Sequence, residues 1–126
     1  MTSADNKQTV MIIEDHDICA GLLTNLLRAK GYEVIHLVDG KNLIKLANEH
    51  LPDLFIMDIQ LPGLSGLELT KQLKAAETLN HIPVIAVTAF AMKGDREKCL
   101  NAGCDDYIAK PISVPGFIET VERYLS

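Results

Sequence analysis

The chain has 126 residues, a formal charge of −5, 48% hydrophobic and 23% charged residues. This is enough for one buried core, and the balance excludes wholesale disorder. No apolar run approaches the roughly 20 residues of a membrane span, and no lysine- or arginine-rich stripe is present to neutralise the phosphates of a nucleic acid.

The opening MTSADNKQTV has neither a basic region nor an apolar one, so it is not a signal peptide. Residues 1–8 read as a flexible polar leader, and 9–126 as the domain. Cys19, Cys99 and Cys104 are odd in number and lack metal-like spacing. They read as reduced thiols of a cytoplasmic protein, packing as small hydrophobes.

VMIIED (10–15) predicts a first strand. From Asp17 to Lys30 a helical stripe of Ile18, Leu22, Leu23, Leu26 and Leu27 ends at Gly31. EVIHL (33–37) is a second strand, and Asp39-Gly40 begins a helix with Leu43, Ile44 and Ala47 inward. LFIMD (54–58) is the third strand. After a turn at Pro62-Gly63, Ser65 and Glu68 form a capping box, with Leu64 and Leu69 at the staple positions. PVIAVT (83–88) is the fourth strand, and a helix from about Ala91 ends at Gly103. YIA (107–109) is a short fifth strand, and Ser113 opens a last helix to Leu125 with Pro115 harmless in its first turn.

Strands thus alternate with helices, and VMII and LFIM are apolar on both faces. That pattern predicts a parallel sheet covered on both sides. Right-handed crossovers make it a doubly wound, three-layer α/β/α sandwich. Such folds bind ligands at the carboxyl ends of their strands. There the chain carries Glu14-Asp15, Asp58, Thr88 and Lys110-Pro111.

Singly, each has an ordinary reading. Glu14-Asp15 suits a helix N-terminus, Asp58 an Asx turn, Thr88 a strand end and Lys110 a solvated edge. Together they do not. Two carboxylates about 4 Å apart repel by roughly 4 kcal/mol at an effective dielectric near 20, so clustering them calls for a cation. Mg²⁺, with Mn²⁺ as a substitute, takes one or two carboxylates plus a phosphate. Asp15 and Asp58 are the natural direct ligands, with Glu14 reaching through water. A carboxylate beside a metal, an ammonium and a hydroxyl is equipment for phosphoryl transfer.

In order and spacing, IIEDHD, DIQLPGLSG, VIAVTA and DDYIAKPI resemble the receiver domain of two-component response regulators, over Thr9 to Leu125. HIPVIAVTAFAMKGD and YIAKPIS further resemble the single-domain cell-division regulators of that family. The resemblance implies a flavodoxin-like five-stranded sheet in the order 2-1-3-4-5. It also implies that Asp58 accepts a phosphoryl group from a phosphohistidine, and that the backbone carbonyl of Gln60 joins Asp15 and Asp58 on Mg²⁺. Lys110 and the Thr88 hydroxyl then hold phosphoryl oxygens, Tyr107 follows Thr88 inward, and the surface of the fourth helix, fifth strand and fifth helix changes its binding preference. The Lys110–Pro111 bond is implied to be cis, against a base rate of about 5–6% for X–Pro. Gln60 and Phe90 occupy positions that tune the lifetime of the aspartyl phosphate. The acidic pair is Glu-Asp where many members have Asp-Asp.

On its residues alone Tyr107 reads as core packing. His16 reads as a solvent-facing helix start, His36, His50 and His81 have no ligand-like spacing, and Glu119/Arg123 is a solvated pair on a helix face. Three rival functions stand beside this one. A nucleotide or flavin binder lacks a glycine-rich cradle after the first strand. A Mg²⁺-dependent phosphatase generally has an acid where Gln60 stands. The alternatives are a phosphorylation-independent docking module or a Mg²⁺-dependent phosphatase-like protein. The last predicted helix runs to Leu125, so output is expected through contacts with proteins. The expected partners are a sensor histidine kinase or kinase/phosphatase, a phosphotransfer protein or an allosteric target, with the protein a monomer or weak dimer. Beyond its own phosphorylation and slow dephosphorylation no enzyme activity is expected.

Overall fold

A computed structural model of the chain describes residues 7–61, 63–89 and 93–125. Strands β1 (Thr9–Ile13), β2 (Glu33–Leu37), β3 (Leu54–Asp58), β4 (Val84–Thr88) and β5 (Asp106–Ala109) alternate with five helices. These are α1 (Asp17–Ala29), α2 (Leu43–His50), α3 (Gly66–Ala75), α4 (Lys93–Ala102) and α5 (Val114–Leu125). The strands form one parallel sheet in the order β2-β1-β3-β4-β5, the flavodoxin-like doubly wound arrangement expected. No helix among the described residues is long and apolar enough to cross a membrane.

The pleat explains why the central strands are apolar throughout. Successive side chains point to opposite faces, and each face is covered. Val10, Ile12, Leu54, Ile56, Ile85 and Val87 pack with Leu23 and Leu27 of α1 and with Phe117 and Val121 of α5. Met11, Ile13, Phe55, Met57, Val84 and Ala86 pack on the other face with residues of α2, α3 and α4. β4 is buried along its whole length, like β3.

Two acids staple the start of β5 to helices. Asp105 accepts from Lys74 Nζ of α3 at 2.9 Å, and the same ammonium donates to the carbonyl of Ile82. Asp106 pairs with Arg123 at 3.2 Å, and Tyr124 Oη donates to the carbonyl of Asp105 at 2.9 Å. Arg123 therefore lies closer to Asp106 than to Glu119, 4.0 Å away. By contrast α4, among its described side chains, buries only Cys99 and Ala102.

Some local expectations need correcting. On α1 the buried residues are Ala20, Leu23 and Leu27, whereas Ile18 is 87% and Leu22 45% exposed. The apolar arc of this helix is wider than the strip the sheet covers. α2 begins at Leu43 and not at Asp39-Gly40, because Asp39 Oδ1 accepts from the N–H of Lys41 and Asn42 turns left-handed at φ 61°. Ser65 Oγ accepts from the N–H of Glu68, but the Glu68 carboxylate lies beside Lys71 at 3.6 Å, so the capping box is seen only in its forward half. Leu69 is buried while Leu64 is half exposed. Residues 1–6 of the expected leader, Pro62 of the turn, and Phe90 and Ala91 lie outside the described residues.

α3 starts hard against the end of β3. A Cβ at Gly66 would overlap the carbonyl oxygen of Asp58, whereas one at Gly21, on α1, would meet nothing within 4 Å. Gly66→Ala is expected to cost on the order of 1–3 kcal/mol as overpacking. Gly21→Ala is expected to gain about 0.5–1 kcal/mol as an ordinary helix substitution. Urea denaturation midpoints of the two variants test the contrast.

Candidate functional site

The register of the sheet creates the site. β1 and β3 pair from Val10↔Leu54 to Ile13↔Met57. The next residue on each strand is Glu14 and Asp58, so two carboxylates stand side by side at the strand spacing of about 4.8 Å. Both are nearly shut off from solvent, at 2% and 3% exposure. Glu14, Asp58 and Lys110 continue the alternation of Ile12, Ile56 and Ile108, and so fall on the α1/α5 side of the sheet. Thr88 continues that of Ala86 and shares the α4 side with Tyr107.

Lys110 answers the carboxylates. Its ammonium lies 3.0 Å from Glu14 Oε1 and 3.8 Å from Asp58 Oδ2. Burial pulls the lysine pKa down, but the hydrogen bond to Glu14 and the charge of Asp58 outweigh it, and it stands above its ordinary value. Glu14 Oε2 also accepts from the N–H of His16 at 3.2 Å. Burial of Asp58, with the Glu14 carboxylate bonded and charged beside it, pushes its pKa up to about 7 against the pull of Gln60 N–H and Lys110. Burial raises Glu14 as well, but its contacts with Asp58, Lys110 and His16 hold it below the usual range. The two acids therefore titrate as a pair, Asp58 pushed up and Glu14 held down.

Asp15 is exposed at the rim. One oxygen from each of Glu14, Asp15 and Asp58 lies within 4.8 Å of the others. Three carboxylate oxygens at that separation suit a hard divalent cation and not a soft one. The cleft, about 510 Å³, is lined by Asp15, His16, Cys19, Asp58, Gln60, Ala89 and Lys110. The Lys110–Pro111 peptide bond is cis.

Gln60 links the two sides. Its backbone N–H donates to Asp58 Oδ1 at 3.0 Å. Its side-chain Nε2 donates to Thr88 Oγ1 at 2.5 Å, and its Oε1 accepts from the N–H of Ala89 at 3.2 Å. Tyr107 is partly buried in the core on the α4 side, and its hydroxyl is raised above its ordinary pKa by burial and by Cys99 and Asp95 nearby.

Three contributors escape a reading of the sequence. Cys19 is half-buried in the cleft wall, and burial together with the Glu14 carboxylate raises its thiol to about 11. Its position in the first turn of α1, above the end of β1, was the available signal. His36 Nε2 lies 2.7 Å from the carbonyl oxygen of Glu14, tying β2 to the acidic loop. Ala89 contributes only a backbone N–H, which no side-chain pattern reveals. Cys99 and Cys104 are free and buried, away from the cleft.

The model of the response regulator receiver domain matches residues 10–122. The chain belongs to this family. A receiver-domain relative, the polar-differentiation response regulator DivK of Brucella ovis, is 58% identical over 118 residues, covering 94% of this chain and 96% of that protein. DivK of Brucella anthropi is 57% identical over the same coverage. Among solved structures, a response regulator from Chloroflexus aurantiacus superposes with a TM-score of 0.90 at 30% identity, over 94% of this receiver domain and 98% of that chain. The receiver domain of a sensor histidine kinase from Pseudomonas aeruginosa, described with magnesium coordinated in its active-site cleft, gives 0.86 at 35% identity, over 94% and 97%.

The raised Asp58 sets a pH dependence. Its folded pKa, about 7, lies above its ordinary 3.8. The native state therefore holds the proton more tightly, and the resulting stability is present below about pH 4 and lost as pH rises towards 7. Without divalent cations, Asp58→Asn is expected to be more stable than the wild type at pH 7 by about 1–3 kcal/mol, with the gap closing towards pH 4. Denaturant titrations at a series of pH values in chelator measure it.

Proposed function

We propose that the protein is a single-domain response regulator of a two-component phosphorelay, phosphorylated on Asp58 by a phosphohistidine donor in a Mg²⁺-dependent reaction. The observation that carries this reading is Asp58 itself: a carboxylate nearly closed to solvent, flanked by a second buried acid and reached by one ammonium. Conserving an ordinary fold does not require that arrangement, and a phosphoacceptor does.

Asp15 and Asp58 would hold Mg²⁺ together with the backbone carbonyl of Gln60, with Glu14 acting through water. The three acidic oxygens grouped within 4.8 Å fit that ion, and the Pseudomonas receiver, 35% identical, is described with magnesium in the corresponding cleft. When bound, such an ion neutralises the carboxylates and the charge spread over the phosphoryl oxygens.

The remaining work falls to the chain. Asp58 must lose its proton before it can attack, and the Lys110 charge favours that loss. An Asp58 oxygen then forms the bond to phosphorus while the phosphorus–nitrogen bond of the donor breaks, and the imidazole keeps the electron pair and takes up a proton. Lys110 would move its hydrogen bonds from Glu14 towards a phosphoryl oxygen, and the Thr88 hydroxyl and Ala89 N–H would take others. With little covalent chemistry for side chains to perform, positioning and charge supply most of the rate.

Donor recognition has a candidate surface in Ile18 and Leu22, two apolar side chains four residues apart and exposed on α1 beside the acidic pair. Output would follow from Thr88 shifting towards the phosphoryl group and Tyr107 moving into the space it leaves, which alters α4, β5 and α5 for protein partners. Phosphorylation drives this only as far as the active arrangement makes the better phosphate contacts. The similarity to DivK over nearly its full length supports a role in cell-division or polarity control, with sensor kinases, a phosphotransfer protein or an allosteric target as partners. Three free thiols accord with action in the cytoplasm, as a monomer or weak dimer.

Incubation with acetyl phosphate and Mg²⁺ followed by intact-mass measurement is expected to add one phosphate to the wild type. Asp58→Asn and chelation should each abolish it, and an unmodified wild type would overturn the acceptor assignment. Lys110→Met, folded by circular dichroism, is expected to slow the reaction on the order of a hundredfold, the usual scale for losing one such charge-stabilising group.

A further inference from the structure

Gln60 makes two side-chain contacts that the phosphorylation chemistry does not require. Ala89 N–H can only donate, so the carboxamide oxygen must face Ala89 and its NH₂ must face Thr88. In this arrangement the Thr88 hydroxyl is an acceptor and the Ala89 N–H is already engaged. A phosphoryl oxygen only accepts, so it must take the Ala89 N–H from Gln60 and draw the Thr88 hydroxyl, which keeps its own O–H to donate, away from the Gln60 NH₂.

Gln60 is also anchored where it competes most directly. Its own N–H holds Asp58 Oδ1 at 3.0 Å, so its side chain leaves from the acceptor loop and spans to the end of β4, across the pleat that separates Asp58 from Thr88. Its carboxamide thus joins the loop after β3 to both Thr88 and Ala89.

We propose that the Gln60 carboxamide is a resident stand-in for the phosphoryl group. It holds Thr88 and Ala89 in the resting arrangement and must be evicted before a phosphoryl group on Asp58 is captured. This rests on Asp58 being the acceptor. The carboxamide ties Thr88 and Ala89 to the loop that carries Asp58, and these two hydrogen bonds stabilise the resting arrangement. The apparent affinity for any phosphoryl mimic is then reduced by the fraction of molecules in which the wall is released. Gln60 acts here as a positioning residue, through Thr88 and Ala89, and its substitution leaves its backbone carbonyl in place.

The test uses beryllofluoride with Mg²⁺ as the phosphoryl mimic, titrated into the wild type, Gln60→Met and Gln60→Ala, with Asp58→Asn as a non-binding control. Methionine keeps the length and loses both hydrogen bonds, and alanine guards against a steric effect of methionine. Both variants are expected to bind about fivefold or more tightly than the wild type, with native circular dichroism. Independently, NMR hydrogen exchange at the Ala89 amide should speed up in both variants without the mimic, while amides in the middle of β4 stay protected. Equal or weaker binding by the two variants would overturn the proposal, as would unchanged exchange at Ala89. A wild type that neither binds beryllofluoride nor takes phosphate from acetyl phosphate would instead remove the acceptor reading, and this inference with it.

Discussion

The repulsion between Glu14 and Asp58 organises the strand-end site. Parallel pairing of β1 with β3 sets the two carboxylates one strand apart, at 2% and 3% exposure, where water does little to screen them. The chain answers with Lys110 and with the N–H groups of His16 and Gln60, and the Asp58 carboxyl is still pushed up to about 7. Each answer is partial, and each would be displaced or strengthened by a cation and a phosphoryl group. The strain of the resting site is thus the same quantity that makes it receptive. A pair of acids satisfied within the protein would have no use for a ligand.

Pleat parity decides how an event at Asp58 is felt elsewhere. Asp58, Glu14 and Lys110 lie on the side of α1 and α5, while Thr88 and Tyr107 lie on the side of α4. The sheet core between them is rigid and close-packed. The contact between the two sides therefore runs around the carboxyl edge, where loops replace strands and Gln60 spans the gap.

Much of this was legible in the sequence because strand identity and strand ends depend on local pattern. EVIHL and LFIMD form β2 and β3 over the same residues that the pattern marks. Gly31 and Gly103, both at positive φ, follow the ends of α1 and α4. What periodicity could not resolve was which part of a wide apolar arc is buried. Ile18 and Leu22 belong to the stripe of α1, yet the sheet covers Leu23, Leu27 and Ala20. The start of α2 was hidden for another reason, since Asp39 hydrogen-bonds its own backbone in competition with the helix. The site residues with charged or hydroxyl side chains stood out at strand ends. Cys19, His36 and Ala89 did not, because their contributions are a helix-turn position, a bond to a backbone carbonyl and a backbone N–H.

The sparse seating of α4 has a mechanical meaning. α5 is pegged into the sheet by Phe117, Val121 and Leu125, whereas α4 rests among its described side chains on a thiol and a methyl group, Cys99 and Ala102. Fixing a helix through side chains this small gives up about half the apolar burial that larger ones would give. β5 beside it is bolted at its start by Asp105 and Asp106 and just past its end by Lys110. Among the described residues α4 is therefore a lightly seated panel of the casing, set beside a strand and a helix that are pinned in place.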